Sequence, residues 1–320
     1  MTRVALLGAS GAIGKTVAEA LRVQARPYRV VGRNREKLVK EFGGDPLAEI
    51  VTWNPDDPAS VRAAVRDIDT IVYLLGVPYT QFELHPQLMR KTLDGAIAEG
   101  VQNLLLIGTV YPYGMPLTYP VLEDHPRAPH TFKGKMRKEQ EDLLLEADKA
   151  GKIHGAVLRL PDFYGPGVET SYVTSLFKAA ATGGRAQLIG PVDKPHEFIF
   201  VPDVGPVVAR LIEEPRAWGQ VWHLGGAGTI TTREMARQAF ALSGRKPKWI
   251  SANYLMLRLM GLFNPLMREV AEMYYLWTHP ILLDDTALQE LLPGIKKTPY
   301  AEGIRQTLAH ELPARTTRAA

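Results

Sequence analysis

The segment Val4-Ala5-Leu6-Leu7-Gly8-Ala9-Ser10-Gly11-Ala12-Ile13-Gly14 constrains this chain more than any other. An apolar run of strand length closes on a glycine, and a helical pattern begins a few residues later. The spacing is Gly-x-x-Gly-x-x-Gly. Gly8 is placed to turn tightly without a Cβ penalty, Gly11 to let backbone approach a phosphate, and Gly14 to let the helix pack on the strand. Ser10, Ala12 and Ile13 complete the loop at a helix start, where free N–H groups and the positive dipole end suit an anion. The common dinucleotide fingerprint is Gly-x-Gly-x-x-Gly, so the weight of this motif comes from its place after a first strand and inside a strand–helix–strand unit.

Further apolar runs at 28–31, 49–52, 70–75, 103–107 and 155–160 alternate with helical patterns at 13–23, 36–42, 58–65, 86–99 and 133–149. This alternation predicts an α/β chain with a Rossmann-type, doubly wound parallel sheet and right-handed crossovers. After Gly165 the pattern loosens into short strands (198–201, 220–224), helices (203–213, 232–242) and a helix-rich stretch at 254–292. The expected organisation is a nucleotide-binding domain over 1–165 and a smaller, mixed, helix-rich C-terminal substrate lobe over 166–320, with segments near 198–224 returning to the first domain. Residues 313–320 read as a frayed tail.

With 46% hydrophobic and 22% charged residues the chain has ample material for a core. Its 38 basic and 34 acidic residues leave +4 over 320 residues, too weak a field to point to nucleic acid. The absence of cysteine removes disulfides, thiolate nucleophiles and cysteine-held metals, and fits a cytoplasmic location; no metal site is expected. Met1, Thr2 and Arg3 lead straight into the first strand, unlike a signal peptide. The nearest approach to a membrane span, 250–267, is broken by Asn253, Arg258, Asn264 and Pro265 and reads as an amphipathic helix pair, so no membrane partner is expected.

The second strand should end beside the adenosine ribose of a dinucleotide, where a carboxylate selects NAD and an arginine selects NADP. Here the chain reads Val30-Val31-Gly32-Arg33-Asn34-Arg35, with no acid. Arg33 follows the strand at once, and a guanidinium grips a phosphate through paired hydrogen bonds. The expected cofactor is therefore NADP (as NADPH) rather than NAD, with Arg35 and Lys15 as candidate helpers.

Three further segments extend the pattern: Leu158-Arg159-Leu160-Pro161-Asp162-Phe163-Tyr164-Gly165-Pro166-Gly167, Val201-Pro202-Asp203-Val204 and Gln220-Val221-Trp222-His223-Leu224-Gly225-Gly226. With the glycine loop, they make the chain resemble the extended short-chain dehydrogenase/reductase family, in its epimerase/dehydratase-like branch, over nearly its whole length. The resemblance implies that Asn54 reads the adenine edge, that Leu75 and Gly76 pass beside the ribose, and that Pro161 and Phe163 flank the nicotinamide. It also implies hydride chemistry at an oxygen-bearing carbon. A strand-end hydroxyl, here Thr109, holds the substrate oxygen, and a tyrosine four residues before a lysine handles the proton. Aligning Lys135, with Glu139 four residues on, puts Thr131 at the tyrosine position. An aliphatic hydroxyl is a far weaker acid than a phenol, so the chain reads as an atypical member in which Lys135 still binds the ribose. Tyr111 is the candidate replacement donor. Tyr113 reads as a structural tyrosine of the turn; Tyr164, His85, His125 and His130 lie in neighbouring loops.

From Trp249 to Trp277 the chain is rich in large soft side chains, including four of its nine methionines, which suits a pocket or lid for an apolar substrate. The charged helix 133–149 favours a monomer over a dimer. The function expected first is an NADP-dependent oxidoreductase acting on a small apolar carbonyl, enone or imine. An NADP-binding sensor without turnover and a sugar-nucleotide epimerase or dehydratase are the alternatives.

Overall fold

The computed structural model describes residues 3–312; the tail 313–320 lies outside the described residues. The described chain forms two compact units. The first comprises 3–161, Pro202–Gly225 and Ile281–Lys296, and the second comprises Asp162–Val201, Gly226–Pro280 and 297–312.

In the first unit, strands β1 (Val4–Leu7), β2 (Tyr28–Gly32), β3 (Ala48–Thr52), β4 (Thr70–Tyr73), β5 (Asn103–Thr109) and β6 (His154–Leu160) alternate with helices α1 (Ala12–Val23), α2 (Arg35–Phe42), α3 (Pro58–Val65), α4 (Leu84–Ala98) and α5 (Phe132–Lys149). The sheet runs β3-β2-β1-β4-β5-β6, and a seventh strand, Val221–His223, lies along β6. Every neighbouring pair is parallel. This is the doubly wound Rossmann arrangement. Strand order reverses between β1 and β4, where such sheets open a crevice at their carboxyl ends. β1 and β4 are buried along their whole length, which is why they read as unbroken apolar runs rather than alternating ones.

Local chemistry fixes where the helices begin. Asn34 Oδ1 accepts the Lys37 N–H at the start of α2, and Asp57 caps α3 with Pro58 in its first turn. Thr131 Oγ1 accepts the Gly134 N–H at the start of α5. Leu7, Ile71, Leu104 and Leu106 of the sheet pack with Met89 of α4 and Leu144 of α5 in one core. A Cβ on Gly205, in helix Val201–Leu211, would fall 2.0 Å from the Thr16 carbonyl oxygen of α1, so those two helices cross at backbone contact.

One charge sits inside this sheet. Arg159, in the otherwise apolar β6, is 1% exposed. Its Nε and Nη2 donate to Glu141 Oε1 and Oε2 of α5 at 3.1 and 2.5 Å. The fork-to-carboxylate bond sets the rotation of α5: Lys133, Gly134, Arg137, Gln140, Glu141 and Leu144 face inward.

In the second unit, Asp162–Tyr164 pairs with Phe198–Phe200 and Ala186–Ile189 with Trp249–Ala252, both parallel, and Pro195–His196 with Ile230–Thr231, antiparallel. Phe177, Leu188, Phe198, Phe240, Ile304 and Leu308 belong to its core. The stretch read as an amphipathic helix pair forms helices Tyr254–Met260 and Pro265–Glu272. No described helix is long and apolar enough to cross a membrane, and no group of three or more His, Asp or Glu residues that could hold a metal ion occurs among the described residues.

Candidate active site

The three loop glycines meet different constraints. Gly8 has φ +94°, its N–H donates to the Val31 carbonyl at 3.2 Å, and a Cβ on it would lie 2.7 Å from the Leu74 oxygen. Gly14 lies against the turn itself, a Cβ there falling 2.5 Å from the Ala9 oxygen. Gly11 is different: its φ is ordinary, it is exposed, and a Cβ would meet only the Gly8 oxygen at 3.5 Å. Nothing in the protein demands glycine at that position. Gly11 is also the N-cap of α1 and offers no side-chain acceptor, so the N–H groups of Ala12, Ile13 and Gly14 lack intrahelical partners, with Ser10 half-buried beside them.

Arg33 directly follows β2 and is exposed, and its side chain has no partner among the described residues. The proposed helpers differ from it. Lys15 pairs with Glu41 at 2.7 Å, and Arg35 opens α2 on its exposed face. Asn54, after β3, accepts the Asp56 N–H on Oδ1 at 3.0 Å in a local turn, which leaves its amide N–H group as the donor. After β4, Leu75 packs half-buried on the core and Gly76 is exposed, with nothing within 4 Å of a Cβ. Pro161 is buried directly after β6 in the first unit. Phe163 is half-buried in the second unit, where its carbonyl accepts from Ser171 Oγ at 2.5 Å.

β5 ends at the same edge as β1, two strand spacings or about 10 Å along the sheet. Thr109, its last residue, is half-buried, and its Oγ1 accepts the Tyr111 N–H at 3.3 Å. Tyr111 lies in a 3-10 turn, with its hydroxyl 3.5 Å from that of Tyr79 and its ring stacked 6.3 Å from Phe82. Lys133 of α5 is fully buried, with Nζ 4.9 Å from the Tyr79 ring centroid and 5.7 Å from that of Phe82. One turn on, Arg137 donates to His85 Nδ1 at 3.1 Å and to the Ile107 carbonyl at 3.2 Å. Burial, and then the Arg137 charge, hold the His85 imidazole down at about 2, so it is the neutral acceptor of that bond. Two buried cations and three aromatic rings therefore gather around the carboxyl end of β5.

This geometry corrects the expected register of α5. Lys135 is exposed and its side chain has no partner among the described residues. It lies about 200° around the helix from Lys133. The reason is the Glu141–Arg159 bond, which turns Lys133 and Arg137 inward and Lys135 outward. Thr131, expected at the tyrosine position, is the helix N-cap instead, its oxygen occupied by the Gly134 N–H at 3.1 Å. The four-residue spacing recurs on the inward face as Lys133, Arg137 and Glu141.

The other candidate donors are engaged. Tyr113 is buried; it accepts from Arg159 and meets His223 Nε2, each at 2.5 Å, and burial pushes its phenol up to about 12. His223 Nδ1 donates to the Asp284 carbonyl at 2.9 Å, which makes Nε2 the acceptor of the Tyr113 proton. His125 uses both ring nitrogens, on the Leu117 N–H and the Pro126 carbonyl.

Residues 4–225 match the NAD dependent epimerase/dehydratase family. Among curated relatives, dTDP-6-deoxy-L-talose 4-dehydrogenase (NAD(P)(+)) of Kitasatospora kifunensis is 27% identical over 257 residues, 76% of this chain and 79% of that protein. UDP-arabinose 4-epimerase 1 of Arabidopsis thaliana is 26% identical over 179 residues, 50% of this chain and 42% of that protein. Among solved structures, UDP-glucuronic acid 4-epimerase from Bacillus cereus, in complex with NAD, shares the fold with a TM-score of 0.81 over 97% of this chain and 98% of that one, at 14% identity. The chain belongs to the NAD dependent epimerase/dehydratase family.

Proposed function

We propose that this protein binds NADP(H) along the Gly8–Gly14 turn and Arg33, and uses it to reduce or oxidise an oxygen-bearing carbon of a sugar nucleotide. The observation that carries the reading is the cluster of Thr109, Tyr111 and buried Lys133 at the sheet edge that also bears the glycine turn. The names of the curated relatives, a dTDP-sugar 4-dehydrogenase and a UDP-sugar 4-epimerase, support the substrate class. This replaces the apolar carbonyl as first choice.

The residues present fit the cofactor. Gly11 leaves room for a pyrophosphate at a helix start with spare N–H donors, and Gly76 leaves room beside it. The Arg33 guanidinium is available for a 2′-phosphate, and the Asn54 amide for an adenine acceptor. When bound, the nicotinamide supplies or accepts the hydride. The Thr109 oxygen already accepts an N–H, so its own proton is left to donate to the substrate oxygen. Tyr111 gives its phenolic proton to the alkoxide as it forms. The Lys133 cation, buried against the ring of Tyr79, whose hydroxyl lies 3.5 Å from that of Tyr111, favours the negative charge left behind. Lys133 and Arg137 take the four-residue spacing that the resemblance assigns to a tyrosine and a lysine. Without a phenol at that spacing, proton removal from an alcohol lacks its usual base, which weighs against both an epimerase cycle and a dehydrogenation and favours a single reduction.

Turnover of NADPH with a dTDP-4-keto-6-deoxy sugar tests this, run beside a panel of apolar carbonyls, enones and imines. Oxidation with the keto sugar is expected, falling about 10²–10⁴-fold in Tyr111→Phe and about 10²-fold in Thr109→Ala and Lys133→Met. Turnover confined to the apolar panel moves the substrate class back to the first expectation. Tight cofactor binding with no turnover on either panel selects the sensor reading, which the missing tyrosine–lysine pair favours.

A further inference from the structure

The second unit carries an apolar surface that neither its core nor the proposed chemistry uses. Helices Tyr254–Met260 and Pro265–Glu272 form a hairpin whose inner side is anchored by Leu257, Val270 and Ala271, each under 10% exposed. The other side is apolar as well. Leu255 is 65% exposed, Leu259 55%, Leu262 74% and Phe263, in the connection between the helices, 90%. The side chains that the sequence suggested for a pocket are thus divided. Met273 is fully buried, whereas Met256 and Met260 join this open face. A helix pair that is apolar on both sides calls for a second apolar environment.

Charge identifies what that environment is. From Met235 to Arg268 the chain has six basic residues, Arg237, Arg245, Lys246, Lys248, Arg258 and Arg268, and no Asp or Glu, in a chain whose total is only +4. All six are exposed. Two lie on the hairpin itself. The Arg258 guanidinium sits 5.8 Å from the Tyr254 ring centroid, and Arg268 packs against Gly261, where a Cβ would lie 3.1 Å from its Cα. The acids of the second helix, Glu269 and Glu272, are half-buried and bring residues 235–272 to +4, with Glu269 Oε1 3.7 Å from Arg268 Nε.

We propose that the hairpin 254–272 docks on an anionic lipid surface, with Leu255, Leu259, Leu262 and Phe263 entering the acyl boundary and Arg258 and Arg268 at the phosphate level. Large leucine and phenylalanine side chains with arginines among them are the composition of an interfacial helix, and anionic headgroups supply the opposite charge. A second copy of this chain would bring one +4 segment, 235–272, against another. A nucleic acid would answer the charge and leave Phe263 in water. Docking needs no spanning helix, so the lack of a span, which led the sequence to predict no membrane partner, does not bear on it. The proposal is independent of the cofactor and substrate readings.

Flotation of the full-length protein tests it, with vesicles of phosphatidylcholine alone and with about 30 mol% phosphatidylglycerol. Co-flotation with the anionic vesicles only, weakened by salt, is expected. The bound-to-free ratio should fall at least about tenfold in Leu262→Glu/Phe263→Glu and in Arg258→Glu/Arg268→Glu. The thermal midpoint should not move in Leu262→Glu/Phe263→Glu, because both side chains are exposed. Wild-type protein that stays with the unbound fraction overturns the proposal, as does a Leu262→Glu/Phe263→Glu variant that floats like wild type. A concentration-dependent dimer abolished by the same variant, without vesicle binding, overturns it in favour of self-association.

Discussion

Arg159 shows how one residue can fix a site it does not belong to. A guanidinium buried in an apolar strand requires a buried carboxylate, and Glu141 supplies it with two hydrogen bonds. That bond decides which face of α5 meets the sheet, and so brings Lys133 rather than Lys135 toward Tyr79 and Tyr111. The signal was legible in the sequence as an arginine inside the run 155–160. Counting four-residue spacings alone aligned Glu139, two positions away, and turned the helix the wrong way. Glu141→Gln leaves the arginine charge buried against a neutral partner and should cost about 3–5 kcal/mol in a urea unfolding titration. A loss under about 1 kcal/mol, the range of exposed pairs, would show that the bond does not hold the helix. The buried histidines add a pH dependence. Burial first, and then a neighbouring arginine, lower His223 to about 4 and His85 to about 2. Both values lie below the unfolded value of about 6.5, so the neutral rings contribute stability that is complete above it. That stability drains as pH falls through 6.5 toward 4 for His223 and toward 2 for His85. Each ring contributes a slope of at most about 1.4 kcal/mol per pH unit. Unfolding free energies measured from pH 7 to pH 5 should therefore decline; a flat profile across that window contradicts the assignment.

At the scale of elements, the glycine turn and the strands after it were readable because local chemistry specifies them. Buried parallel strands are continuous apolar runs, and Asn34 and Asp57 mark helix starts. Of the short strands of the second unit, only Phe198–Phe200 was readable, as the apolar run 198–201. Trp249–Ala252 is a strand because Ala186–Ile189 lies beside it, some 60 residues earlier in the chain, and no local pattern encodes that partner. The two glycines of the turn separate packing from binding. Gly14→Ala puts a methyl 2.5 Å from the Ala9 oxygen, which is backbone and cannot swing away, and should destabilise the protein by about 1–3 kcal/mol. Gly11→Ala meets only an ordinary contact at 3.5 Å. Its thermal midpoint should match wild type while its affinity for NADPH falls at least about tenfold. Equal affinity in that variant would move the pyrophosphate away from Gly11.

For the whole molecule, the doubly wound sheet and the family were legible from the glycine turn and three strand-end segments. The chemistry was legible only in part. Thr109 and Tyr111 come from one continuous stretch, whereas Tyr79, Phe82, His85, Lys133 and Arg137 reach them from other elements, and only the packed sheet brings these together. The central claim is that the sheet edge holds NADP(H), with Arg33 on the 2′-phosphate. The most direct measurement is a fluorescence titration of cofactor-free protein with NADPH and, separately, NADH, repeated on Arg33→Ala. The account predicts tight NADPH binding, NADH weaker by at least about tenfold, and loss of that difference in the variant. Equal affinities in the wild-type protein would take the specificity away from Arg33, and binding of neither dinucleotide would contradict the claim outright.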